Sequence, residues 1–587
     1  MTNTPPTLSV KLADLISRIY PDLNQDILTT QVIDAFWPEG SSRRKRSRMP
    51  GNRLWSSGDA MVITYGNSLI DGVHKPLDLL NDFLNRYLKG SVNSVHILPF
   101  FPFTSDDGFA VTDYRTVNSH LGDWADIRRI SDEFTLMSDL VLNHVSSQGT
   151  WFNEYRQGHE PFDKFFFEAT PEDDLSSVVR PRTSPLLREV ETASGTRHVW
   201  CTFSHDQVDV DFRNPEVLLE FLRIMRLHID HGVRIIRLDA VAFIWKEIGT
   251  PCIHLPQTHA IVQLMRILCD FAVEPLILLT ETNVPNVENL SYFGNRNEAH
   301  AVYNFSLPPL LLHALLSGTA EHLKRWQVSM PPAQLGCAYL NFTASHDGIG
   351  MRPAEGILDT EQTLKVIDTV KRFGGKVSMR ALAGGGESPY ELNITFFDAM
   401  KGTFEGEDEW QVDRFLCSQT IAMALEGIPA FYIHSLLATP NDYEGVAKTG
   451  INRAINRHRW DYPTLRAQLD DPDSLHAQVL SGMRQRIQVR CRQPAFHPNA
   501  TQFTLHLDER IFGIWRQSLN RDQSIFALHN VSKDELTVPP LSINLIGGEQ
   551  WVDLLSGERI SAAGPDILMR PYQCRWITNR PAGEGAL

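Results

Sequence analysis

The chain has 587 residues, 42% of them hydrophobic and 21% charged, which is typical of folded globular proteins. It contains 55 Lys and Arg residues against 70 Asp and Glu residues, a formal net charge of −15. This acidic balance argues against a nucleic-acid partner, and the apolar runs are too short to span a membrane. The seven cysteines are widely spaced without a Cys-x-x-Cys pair, so neither a disulfide framework nor a zinc ribbon is expected.

Residues 1–58 are predicted to form an N-terminal helical segment. The segment contains a basic run, Arg43–Arg48, which is either a nucleic-acid or nuclear signal or a solvated surface run; the acidic chain as a whole favours the latter. The first residues lack the apolar stretch of a signal peptide, so we expect a cytoplasmic protein.

From residue 59 onward, short apolar runs alternate with helical patterns. The runs are nearly continuous in Val, Ile and Leu, as expected for parallel strands covered on both faces. They are Met61–Tyr65, Ser94–Leu98, Leu136–Leu142, Val233–Leu238, Leu276–Thr280, Ala301–Phe305, Ala338–Phe342 and Ile428–Ile433. Between two of them, Glu216–Asp230 has helical spacing, with Asn214 as a candidate N-cap.

Eight such units predict an α/β protein, a (β/α)8 TIM barrel. Two gaps are too long for ordinary loops and predict inserted domains after strands 3 and 7, while short strands near the end predict a C-terminal all-β domain. The predicted boundaries are 59–146, 213–347 and 411–490 for the barrel, 147–212 and 348–410 for the inserted domains, and 491–587 for the β domain.

Charged residues stand at the ends of several predicted strands. They include Asp139, His144, Arg237, Asp239, Glu281, His346 and Asp347. One strand-end carboxylate is often a salt-bridge partner, but three on separate strands predict an active site at the barrel mouth. Convergent carboxylates without a cysteine or metal cluster fit glycoside cleavage, in which one attacks the anomeric carbon and another protonates the leaving oxygen.

These segments resemble the ordered motifs of the α-amylase family of glycoside hydrolases. The motifs are Asp139–His144, Gly232–Asp239, Glu281 and His346-Asp347, with Gln207–Asp211 similar to a fifth, and the resemblance covers residues 55–530. Further segments resemble the sucrose phosphorylase subfamily: Leu98–Pro102, Asp106–Phe109, Arg180–Arg182, Leu307–Ala314, His346–Gly350 and Asn452–His458.

The resemblance implies a role for each matching residue. Asp239 would be the nucleophile, Glu281 the general acid/base and Asp347 the carboxylate that stabilises the transition state. The glucose-binding positions would be Asp106, His144, Arg237, His346 and Arg453, with Phe109 and Phe203 as pocket aromatics. Arg182 and Tyr390 would lie on acceptor loops that contact phosphate or the leaving group. No cofactor or metal is implied, and we expect Asn143 to be a structural hydrogen-bonder.

The differences from sucrose phosphorylases cluster around the acceptor. Glu391 stands where those enzymes have Gln, Phe243 replaces Tyr, and Thr282-Asn283 replaces Val-His. These segments look more like phosphorylases of glucosylglycerate or glucosylglycerol. The added carboxylate of Glu391 suits a polyol and would repel glycerate unless an Arg offsets it, which slightly favours glucosylglycerol.

The predicted activity is retaining phosphorolysis of a small α-D-glucoside to α-D-glucose 1-phosphate. Three alternatives remain open. The first is a sucrose or sucrose 6′-phosphate phosphorylase. The second is an α-glucosidase or transglucosylase using the same three carboxylates. The third is a non-catalytic barrel, which the retention of all three carboxylates disfavours.

Overall fold

The barrel strands close into a ring at the centre of the protein. The structure is a computed structural model that describes residues 7–39, 41, 54–382, 386–547 and 549–580. Eight parallel strands form the ring, and we number them β1 to β8 in chain order. They are Met61–Thr64, Ser94–Ile97, Thr135–Val141, Val233–Asp239, Ile277–Thr280, Ala301–Tyr303, Ala338–Phe342 and Ile428–Tyr432. Each coincides with a predicted apolar run, and the (β/α)8 prediction is confirmed.

The strand register brings charged side chains to one mouth of the barrel. Consecutive strands are neighbours, and β8 pairs with β1, closing the ring. Arg237 of β4 lies beside Asp139 of β3 and Leu279 of β5. Because parallel strands all end at the same face, polar residues at their carboxyl ends converge there.

Helices cover the outside of the barrel. The helix predicted at 216–230 spans Pro215–Asp230, and the Asn214 side chain caps it by accepting a hydrogen bond from the Glu216 N–H. The other helices are Leu8–Ile19, Gln25–Phe36, Pro76–Phe83, Trp124–Glu133, Thr150–Gln157, Pro256–Phe271, Asn286–Leu290, Leu307–Ser317, Glu321–Ser329, Thr360–Arg372, Phe396–Ala399, Gln411–Ala424, Ile433–Leu436, Tyr443–Thr449, Tyr462–Leu469 and Leu475–Cys491.

Two insertions rise from the carboxyl ends of β3 and β7, as predicted. The first contains a hairpin of Leu187–Thr192 with Gly195–Trp200, and its strand Gln207–Asp209 pairs with His144–Ser146. The second is a sheet in which Glu387–Asn393 lies between Ile349–Gly350 and Lys376–Ala381. Both insertions therefore stand over the mouth where the charged side chains converge.

The C-terminal part is strand-rich, as predicted. Its main sheet contains, in spatial order, Thr501–Thr504, Ile511–Gln517, Ser524–Asn530, Cys574–Thr578, Trp551–Asp553 and Arg559–Ile560. In the same part of the chain, Leu536–Val538 pairs with Ile567–Met569. Two further short pairs lie outside it: Leu69–Ile70 with Trp460–Asp461, and Gly402–Thr403 with Gly406–Glu407. The N-terminal segment is helical, but its basic run lies outside the described residues. All seven cysteines are free thiols.

Candidate active site

A cavity lies at the carboxyl-end mouth of the barrel, between the two insertions. All the predicted site residues except Arg237 line it, and Arg237 lies beneath its floor. The predicted lining residues are Asp106, Phe109, His144, Arg182, Phe203, Asp239, Glu281, His346, Asp347, Tyr390, Glu391 and Arg453. The cavity wall also includes Gln207, Asn283 and Arg352, which the sequence motifs do not indicate as site residues.

Asp239 is held by a buried chain of charges beneath the cavity. Arg237 donates to Asp239 Oδ1 at 2.6 Å and also pairs with Asp139, whose other oxygen lies 2.7 Å from His96 Nε2. Burial works against a charged Asp139, but Arg237 and then His96 lower the pKa of its carboxyl overall. The Arg237 guanidinium therefore bridges two carboxylates and fixes the orientation of Asp239.

Glu281 faces Asp239 across a strained turn. Ala240, directly after Asp239, has a left-handed conformation with φ of 51°, and its N–H donates to Glu281 Oε2 at 3.2 Å. Burial raises the pKa of both carboxyls, and the charge of Glu281 further raises that of Asp239. Asp239 has a guanidinium 2.6 Å away, whereas the one hydrogen bond that Glu281 accepts within the described residues comes from an amide N–H.

Asp347 is kept ionised by neighbouring cationic side chains. Arg453 Nη1 lies 2.7 Å from Asp347 Oδ1, and His346 Nε2 lies 3.3 Å from the same oxygen. Burial opposes ionisation, but the charge of Arg453 dominates the remaining interactions, and the pKa of Asp347 falls well below its usual range. About a quarter of the Asp347 side chain stays exposed to the cavity, so this carboxylate can accept hydrogen bonds from hydroxyl groups of a ligand.

Glu391 is fully engaged by a neighbouring arginine. Arg453 donates to both of its carboxylate oxygens, through Nε at 3.0 Å and Nη2 at 2.6 Å. Only 2% of the Glu391 surface is exposed. Such two-point pairing is the strongest form of carboxylate–arginine contact, so the charge that Glu391 presents to the cavity is largely offset.

Flat and neutral groups form the remaining walls. The Phe109 and His346 rings stack with 4.8 Å between their centroids, and Phe203 lies 5.1 Å from the His144 ring. Burial lowers the pKa of His144 to about 4, so its ring is neutral at pH 7, and its Nε2 contacts the Phe109 carbonyl oxygen at 3.1 Å. A neutral imidazole beside aromatic rings suits an uncharged sugar.

Arg182 extends over the cavity from the first insertion. Its guanidinium lies 5.1 Å from the Tyr390 ring centroid and 5.8 Å from that of Phe203. Its one hydrogen bond within the described residues goes to the neighbouring Pro181 carbonyl, at 3.3 Å. Burial raises the pKa of Tyr390 to about 12, so its phenol is neutral at pH 7. Arg182 thus retains free hydrogen-bond donors close to the cavity.

The oxygens near Asn143 already bind a cation of the chain itself. The buried Lys246 ammonium lies 2.9 Å from Asn143 Oδ1, 2.9 Å from the Phe243 carbonyl oxygen and 3.0 Å from Asp209 Oδ2. Asn143 also donates to Asp209 at 2.9 Å. Calcium requires six to eight free oxygen ligands, and this set does not fit the ion because Lys246 occupies it. Across the described ranges, no group of three His, Cys, Asp or Glu side chains is arranged to hold a metal ion.

Known proteins resemble this chain along nearly its whole length. The family described as "Alpha amylase, catalytic domain" matches residues 72–346. A glucosylglycerate phosphorylase of Spirochaeta thermophila is 41% identical to this chain, over 97% of this chain and 98% of that protein. A glucosylglycerate phosphorylase of Allomeiothermus silvanus is also 41% identical, over 89% of this chain and 91% of that protein. A glucosylglycerol phosphorylase of Marinobacter adhaerens is 29% identical, over 73% of this chain and 86% of that protein.

The structural comparison agrees with the sequence comparison. The crystal structure of sucrose 6F-phosphate phosphorylase from Thermoanaerobacter thermosaccharolyticum superposes with a TM-score of 0.70. It is 25% identical, and the match covers 81% of this chain and 94% of that chain. No helix in the described part of the chain is long and apolar enough to cross a membrane.

Proposed function

This chain belongs to the α-amylase family and is related to its glycoside phosphorylases, and from this premise we propose that it phosphorolyses glucosylglycerate. The products would be α-D-glucose 1-phosphate and free glycerate. The observation that carries the choice of acceptor is the 41% identity to glucosylglycerate phosphorylases along almost the entire chain. Because its cysteines are all free thiols, we also propose that it acts in the cytoplasm.

The pairing of Glu391 supports glycerate as the acceptor. In the sequence, the slight preference for glucosylglycerol depends on repulsion between glycerate and a free Glu391 carboxylate. Both oxygens of that carboxylate accept hydrogen bonds from Arg453, so the repulsion is offset. Charge repulsion by Glu391 is therefore no reason to exclude glycerate as the acceptor.

In the first displacement, Asp239 is the nucleophile and Glu281 the acid. The Asp239 oxygen bonds to C1 of the glucosyl group while the bond from C1 to the glycerate oxygen breaks. The Glu281 proton passes to that oxygen, and glycerate leaves with a hydroxyl group in place of the glycosidic bond. Asp347, which the ion pair with Arg453 keeps ionised, accepts hydrogen bonds from glucosyl hydroxyl groups and stabilises the positive charge that develops at the ring.

In the second displacement, phosphate replaces glycerate. A phosphate oxygen attacks C1 and loses its proton to Glu281, while the ester to Asp239 breaks. Two inversions leave the α configuration unchanged. If water attacked instead, the same carboxylates would give a glucosidase, and incubation with and without phosphate separates the two activities.

We expect an acceptor screen in the synthetic direction to identify glycerate. The purified protein is given α-D-glucose 1-phosphate with glycerate, glycerol or fructose at equal concentrations, and phosphate release is measured. Glycerate should give a kcat/KM at least tenfold above either neutral acceptor, because a charged contact contributes roughly 1.5–3 kcal/mol. A higher kcat/KM with glycerol or fructose would contradict the glycerate assignment.

Replacement of Arg182 by alanine should weaken phosphate binding. When phosphate enters, Asp239 is esterified and Glu281 has given up its proton, so the anion lies beside the carboxylates of Glu281 and Asp347, and Arg182 retains free donors over the cavity. We expect KM for phosphate to rise about ten- to a hundredfold, with slow hydrolysis by water persisting. Unchanged phosphate saturation in this variant would mean that another group binds the anion.

A further inference from the structure

Three arginines line the cavity, and they differ in what they contact. Arg453 is committed to Asp347 and Glu391. Arg182 lies over two aromatic rings. Arg352 makes no ion pair and no side-chain hydrogen bond with any residue that the structure describes, and its Nε is buried without a partner. A buried guanidinium N–H without an acceptor is costly, so this position favours an anionic ligand.

The backbone around Arg352 is fixed to the acceptor side of the cavity. Arg352 begins the short helical turn Arg352–Ala354, just after the strand Ile349–Gly350 that pairs with Glu387–Asn393. The preceding Met351 N–H donates to the Tyr390 carbonyl oxygen at 2.9 Å. The position of Arg352 is therefore coupled to the segment that carries Tyr390 and Glu391.

A second unpartnered group lines the same cavity. Asn283 follows the Glu281 strand end, and its Oδ1 is buried without a hydrogen bond. A Cβ added at Gly350 would lie 2.6 Å from this oxygen, so a larger residue there would displace the Asn283 side chain from its present position. Asn283 and Arg352 thus give the same cavity one unpartnered acceptor and one unpartnered donor.

We propose that Arg352 and Asn283 form the acceptor subsite, with Arg352 binding the acceptor carboxylate and Asn283 accepting a hydrogen bond from its free hydroxyl. This inference rests on the proposed function. The carboxylates of Asp106 and Asp347 line the cavity beside the catalytic pair, so an anionic acceptor needs a cation that is not already paired. Within the described residues, Arg182 and Arg352 both meet that condition. Arg182 is assigned to phosphate, and the flat fork of donors of Arg352 matches a carboxylate at two points.

A purely structural role for Arg352 makes a different prediction. The nearby His254 contacts Tyr292 Oη at 2.8 Å and Glu288 at 3.1 Å, and Arg352 lies close enough to contribute to lowering the pKa of His254, although burial is the main cause. If Arg352 served only that cluster, its loss would reduce stability and affect all acceptors alike. Selectivity between a charged and a neutral acceptor separates the two roles.

The test compares glycerate with glycerol as acceptors for α-D-glucose 1-phosphate in four proteins: wild type, Arg352→Gln, Arg352→Lys and Arg325→Gln. Arg325 is exposed on the helix Glu321–Ser329, so its substitution matches the charge change away from the cavity. We expect Arg352→Gln to lower the ratio of kcat/KM for glycerate over glycerol about ten- to a hundredfold, mainly through KM for glycerate. Arg352→Lys should recover part of the ratio, and Arg325→Gln should keep it.

Two results would overturn the subsite, and they are distinguishable. A fully folded Arg352→Gln variant with the wild-type ratio would show that the carboxylate binds elsewhere, while the proposed function would stand. A wild-type enzyme that uses glycerol or fructose but not glycerate would reject the proposed acceptor and the subsite together. An Asn283→Ala variant provides a second measurement: KM for glycerate should rise with KM for phosphate unchanged.

Discussion

Replacement of Asp239 by asparagine is expected to reduce phosphorolysis by about four orders of magnitude or more. The amide is nearly the same size but cannot form the ester to C1. Arg237 keeps its pairing with Asp139, so the floor of the site remains ordered. The measurement is the initial rate of glucose 1-phosphate formation at saturating phosphate.

Two checks accompany the Asp239 variant. A thermal melt within a few degrees of wild type would show that the fold is intact. The variant Asp132→Asn, the same chemical change at an exposed helical position, should keep full activity. More than about one per cent of wild-type turnover in Asp239→Asn would mean that another group is the nucleophile.

Replacement of Glu281 by glutamine is expected to lower kcat for glucosylglycerate by about a hundred- to ten-thousandfold. The amide cannot protonate the glycerate oxygen. With α-glucosyl fluoride as the donor, the leaving group needs no proton. The variant should therefore lose much less of its rate of glucosyl transfer to Asp239 with this donor than with glucosylglycerate. An equal loss with both donors would show that Glu281 serves only to position the substrate.

The pH dependence offers an independent test of Glu281. A general acid must carry its proton in the free enzyme, so kcat/KM should fall as pH rises through the pKa of Glu281. Burial raises that pKa, which moves the fall towards neutral pH. In the Glu281→Gln variant this alkaline limb should disappear. A limb that persists would belong to a different group.

The sequence was most informative where burial and chemistry coincide. The eight strands are short apolar runs because both of their faces are covered, and each charged residue that ends a run marks the barrel mouth. Asp239, Glu281 and Asp347 could be selected in this way. Arg237 was also selected, although it lies below the cavity and acts on Asp239 from beneath.

The acceptor side was less predictable because it depends on pairing between distant segments. Nothing near Glu391 in the sequence shows that Arg453 neutralises it. Asn283 stood out only as a difference after Glu281. Arg352 closely follows the His346-Asp347 pair, but its missing partner is visible only when the second insertion is folded over the mouth. Such facts depend on three-dimensional contacts that local patterns do not encode.

The Lys246 ammonium takes the place of a dissolved cation at the junction between the barrel and the first insertion. It joins Asn143 at the end of β3, Asp209 in the first insertion and its own segment after β4. A cation recruited from solvent makes stability depend on ion concentration, because binding shifts the unfolding equilibrium by mass action. A cation that is part of the chain has no such dependence and cannot dissociate. The junction between barrel and insertion therefore keeps its central charge at any calcium level, and the architecture over the active site is independent of ion supply at this point.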